Sequence, residues 1–95
     1  MRVALALLPL LLGATPALAA APTEAQKAEF YSVCLGISGD AALCGCKADA
    51  AMTLIDERFM GVVVASMKGA SPDSADYARY NEYVARSNGI CKPNY

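Results

Sequence analysis

The chain has 95 residues, eight basic and nine acidic side chains, no histidine and a formal charge of −1, with 56% of its residues apolar. Such a balance offers no electrostatic footprint for nucleic acid and no basic stripe for an anionic bilayer, while the lack of histidine removes the usual general base and the commonest metal ligand together. A chain of this size makes one small domain, and small domains lean on disulfides or metals, so the four cysteines carry weight.

The first segment reads as a leader. Arg2 precedes an apolar run from Val3 to Ala14, and "TPALAA" places small residues at Ala17 and Ala19, as a signal-peptidase site requires. The run is too short for a membrane span, which needs roughly 20 apolar residues. Cleavage is expected after Ala19, with the bond after Ala20 as the alternative. Residues 1–19 are thus a cleaved signal peptide and residues 20–95 a single small helical domain in the periplasm or outside the cell. Without Arg2 seven bases face nine acids, a net charge of −2.

The mature chain then reads as four short helices. Thr23 followed by Gln26 is a capping box, and the helix it starts runs to about Ile37 with Phe30, Val33, Cys34 and Ile37 on one face. Gly39 suits a left-handed exit and Asp40 an N-cap. In the second helix Cys44, Ala48, Ala51, Met52 and Ile55 form one stripe and Leu43, Ala50 and Leu54 another. Lys47 lies between the stripes and is expected to snorkel. Asp49, Thr53 and Asp56 mark the wet side, and Cys46 falls near it.

Asp56 recaps the chain for a third helix, in which Phe59, Met60, Val63 and Met67 share a face and Gly69 supplies the stop. A strand through the three valines at 62–64 would have no partner. For the last helix Ser71 is the expected N-cap and Pro72 the first helical residue, with Tyr77, Tyr80, Asn81 and Val84 inward, Arg79, Glu82 and Arg86 outward, and an end near Gly89. Four helices with brief polar connections make an all-α, disulfide-stapled bundle.

An even number of cysteines in an exported small chain reads first as a disulfide framework. Cys44 and Cys46 point apart on a helix and do not bond each other. Two pairings remain. Cys34 and Cys44 lie symmetrically about Gly39 and share the apolar seam, which favours Cys34–Cys44 with Cys46–Cys91; the alternative is Cys34–Cys46 with Cys44–Cys91. A four-thiolate zinc site would show two close pairs, which the lone downstream Cys91 does not provide. Met52, Met60 and Met67 are soft ligands in principle but fall on core stripes. A redox reading assigns thiol exchange to Cys44 or Cys46, with Lys47 as the cation favouring a thiolate.

No C-x-x-C-H, no G-x-S-x-G and no phosphate-binding loop occurs. The acid pairs Asp56 with Glu57 and Asp73 with Asp76 read as helix-start charges. No cofactor is expected. Tyr83 falls off the inward arc and Tyr95 ends the chain, which makes them the candidate contacts for a protein partner.

The run "FYSVCLGISGDAALCGC", followed by a helical stretch and a late lone cysteine, resembles a group of small exported helical bacterial proteins without an assigned activity. The resemblance spans Phe30 to Cys91 and implies a disulfide-bonded helical fold outside the cytoplasm, with no catalytic residue. The expected function is therefore a non-enzymatic exported protein that acts through protein contacts. The thiol-redox protein is one alternative, and a periplasmic inhibitor or immunity protein is the other.

Overall fold

The computed structural model describes residues 19–93, so the expected leader up to residue 18 and Tyr95 lie outside the described residues. Helix α1 spans Glu24–Ser38, α2 Ala41–Leu54, α3 Glu57–Met67 and α4 Tyr77–Ile90, with a 3-10 turn over Ser74–Asp76; no strand occurs among the described residues.

Local chemistry sets the first three helices. The capping box forms in both directions, Gln26 N–H donating to Thr23 Oγ1 and Thr23 N–H to Gln26 Oε1, each at 3.0 Å. Asp40 and Asp56 cap α2 and α3 through the backbone N–H groups of Leu43 and Phe59. Gly39 closes α1 at φ 68°, a left-handed conformation that glycine adopts without a Cβ clash.

Topology follows from pairs of cross-helix contacts. Cys34 meets Cys44 and Lys27 meets Asp49, so α2 runs back along α1. Cys46 meets Cys91 and Lys47 meets Ser87, while Leu54 and Ile55 border Tyr83 and Arg79, so α4 runs antiparallel to α2. Helix α3 packs against α1, helped by the Lys68–Glu29 ion pair at 2.6 Å. Helix α2 is thus the spine. Its alanines at 48, 50 and 51 are buried, and side chains that small let neighbouring helices approach closely.

The core gathers Phe30, Cys34, Cys44, Ala48, Ala51, Ile55, Phe59, Met60, Val63, Val64 and Tyr83. Phe59 and Met60 are wholly enclosed, each burial contributing about 1.5–3 kcal/mol. Met52 and Met67 pack against this core. Phe59 is also overlain by two guanidinium groups, Arg79 at 4.5 Å and Arg58 at 5.7 Å from the ring centroid. Those arginines pair with Asp56 and Asp76, joining the start of α4 to the start of α3.

Several expectations fail, and each failure has a cause. Residues 70–73 are not helical, and α4 begins at Tyr77 instead of Pro72. The Ser71–Pro72 entry satisfies a local rule, but the helix starts where Asp76 is gripped by Arg58, at 2.9 Å. The inward face of α4 also differs. Tyr83 is buried and Tyr77 is 57% exposed, as is Ile90; Asn81 faces outward. The true inward stripe is Tyr80, Tyr83, Val84, Ser87 and Cys91, whose three-and-four spacing is anchored by the bond from Cys91 to Cys46. Ile37 is exposed because the chain reverses at Gly39, and Cys34 is the last buried residue of α1.

Candidate functional site

The four cysteines form two bonds, Cys34–Cys44 and Cys46–Cys91, with Cα separations of 5.7 and 5.8 Å, and no cysteine is free. The alternate position of Cys44 and Cys46 on α2 explains the arrangement. Cys44 faces the α1 seam and is wholly buried, while Cys46 turns toward α4 and is half-buried. One helix therefore sends neighbouring cross-links to two different partners.

Their surroundings differ. Ser38 Oγ lies 3.2 Å from Cys44 Sγ and donates to the Cys34 carbonyl, so the first bond sits inside the helix turn. Cys46 and Cys91 border a shallow depression of about 300 Å³ shared with Leu43, Ile90 and Lys92. The second bond is thus the one that lies beside a surface opening.

Lys47 does not snorkel. Its ammonium crosses to α4 and donates to Ser87 Oγ at 3.1 Å and to Asn88 Oδ1, and burial holds its pKa below the ordinary lysine value. The redox reading of Cys46 relied on that charge as a neighbouring cation, but its hydrogen bonds are committed to α4. A lysine of lowered pKa beside a serine hydroxyl has the parts of a nucleophile and its base. Access is missing: Ser87 is wholly enclosed and its hydroxyl donates to the Val84 carbonyl. The group acts as a polar bridge between α2 and α4. Ser87 and Asn88 went unremarked in the sequence; the one signal was Ser87's place between Val84 and Cys91 on a single stripe.

Tyr83 cannot serve as an exposed anchor. Its ring is in the core, its hydroxyl is buried near Ser87 without a hydrogen bond of good geometry, and burial pushes its pKa up to about 12. Among the described residues the exposed large apolar side chains are instead Leu35, Ile37, Tyr77 and Ile90. An open cleft of about 400 Å³ lies over Ala28, Tyr31, Gly45 and Ala48 between α1 and α2, bordered by the Lys27–Asp49 ion pair.

Among the described residues no group of three or more Cys, Asp or Glu side chains is placed to hold a metal ion, and no helix is long and apolar enough to cross a membrane. No family model, curated protein or solved structure matches the chain.

Proposed function

We propose that the protein is exported to the periplasm or beyond the cell and acts there, without chemistry of its own, by presenting a disulfide-locked helical surface to another protein. The observation that carries this reading is the use of every thiol in two cross-links that fasten α1 and α4 to the same central helix. Cross-links of this kind persist in oxidising compartments and make up for the small core of a short domain. The exposed apolar side chains on α1 and at both ends of α4 give such a surface its contact chemistry.

Titrating the protein purified from the exported fraction with a thiol reagent tests the reading. No reactive thiol before reduction, and resistance to a glutathione buffer, is the expected result. Ready reduction of Cys46–Cys91 at a moderate potential would instead favour thiol exchange at the bond that borders the depression.

A further inference from the structure

We infer that hydrolysis of the Ala19–Ala20 peptide bond makes Ala20 the first residue of the working protein, and that the Ala20 carbonyl is a built part of the fold. The inference rests on the export reading above. The small-residue pattern alone leaves two bonds open, after Ala19 and after Ala20.

Geometry separates them. The backbone N–H of Glu57 donates to the Ala20 carbonyl at 2.8 Å. Glu57 is the first residue of α3, so its N–H has no acceptor within its own helix, and the Asp56 side chain is occupied with the N–H of Phe59. The Glu57 carbonyl in turn accepts from Gln26 Nε2 at 2.9 Å, while Gln26 Oε1 accepts from Thr23 N–H. Pro22, between these fastenings, is buried. Residues 20–26 therefore form a strap held at both ends by one residue of α3. Ala19 and Ala20 are both exposed and border the same depression, but among the described residues only Ala20 takes part in a hydrogen bond. The first hydrogen bond of the described chain thus falls just after the bond that the small-residue pattern offers to a leader peptidase.

In the cleavage, the oxygen of water bonds to the Ala19 carbonyl carbon, the C–N bond breaks, both protons of the water pass to the Ala20 nitrogen to make it an ammonium, and Ala19 is left as a carboxylate. No electrons are exchanged. That ammonium emerges in a depression lined by Ala21, Thr53, Asp56 and Arg79, where Asp56 is the acidic group. Cleavage one bond later would discard the acceptor and leave the Glu57 N–H without its partner.

The test uses the full chain expressed in a bacterial host, with the exported protein recovered and its N-terminus read by mass spectrometry and sequencing. A start at Ala20 is expected. A processed chain that starts at Ala21 or later overturns this inference alone, whereas a chain that keeps its leader overturns the export reading with it. A full-chain variant lacking Ala20 still offers Ala17 and Ala19 for processing. Its product is expected to melt about 4–8 °C lower, the shift that loss of one hydrogen bond brings to a domain of this size. Glu57→Pro, which the first helical position accepts, removes the donor, so deleting Ala20 on that background should change nothing further. An unchanged melting temperature for the deletion in the otherwise native chain would overturn the structural role of Ala20.

Discussion

The two sides of α2 hold their partners by different means. At the α1 side, Cys34–Cys44 closes a separation of 10 residues inside a hairpin that also has a buried seam, a glycine turn and the Lys27–Asp49 ion pair. At the α4 side, Cys46–Cys91 spans 45 residues and tethers a helix whose inward stripe mixes Tyr80, Tyr83 and Val84 with a serine and which is also held by the Lys47 bridge and the Arg58–Asp76 pair. In the chain-entropy picture the short loop contributes about 3 kcal/mol and the long one about 4 kcal/mol. The difference teaches that a cross-link matters most where packing is thinnest: the hairpin is reinforced by its disulfide, whereas α4 is held by one.

The largest expected effect breaks that asymmetry directly. Replacing both Cys46 and Cys91 by serine should lower stability by about 4 kcal/mol and release α4 first, so amide exchange along residues 77–90 should become fast while α1 and α2 stay protected. The matching change at Cys34 and Cys44, to alanine, should cost about 3 kcal/mol and raise exchange across the whole bundle together. If the two double variants show the same exchange pattern, the comparison fails.

Lys47→Ala comes next. It strips the polar bridge and takes the donor away from Ser87 Oγ and Asn88 Oδ1, at a cost of about 1–3 kcal/mol in denaturant unfolding. The loss should be greater when Cys46 and Cys91 are already serine, since both devices hold the same helix. Tyr83→Phe sharpens the same point with the opposite sign. It removes a buried hydroxyl that has no partner, so the variant should be as stable as the parent, or more stable by about 1 kcal/mol, in thermal unfolding.

The smallest effect concerns acid. The Phe59 N–H first, and Arg79 beside it, hold the Asp56 carboxyl below its ordinary 3.8, and Arg58 does the same for Asp76. A folded-state value below the unfolded one contributes stability that is present above pH 3.8 and is lost as the pH falls through the folded value. Asp56→Asn should flatten the acid limb of a pH-dependent melting curve, with less effect at neutral pH than the cysteine or Lys47 changes.

Most of the fold was legible where a single turn of chain carries the signal. Thr23 with Gln26, Gly39, Asp40 and Asp56 act within three or four residues of themselves, and the structure uses each of them as a cap. Helix α4 was harder, because Ser87 is polar on an inward stripe and tyrosine is amphipathic enough to sit on either side. The spacing from Tyr80 through Val84 to Cys91 held the correct phase, but only a distant bond to Cys46 makes that phase the binding one. Nor could the bridge from Lys47 to Ser87 and Asn88 be read from the sequence, since its partners lie 40 and 41 positions away and no local rule links them.

The single glycine between Cys44 and Cys46 has a mechanical consequence. If the chain were pulled from outside Cys34 and Cys91, tension would run covalently through sulfur, along residues 44–46 of α2, and out through sulfur again. The third helix and the whole of the fourth lie in a loop off that load path, so they would feel no direct strain while the cross-links last.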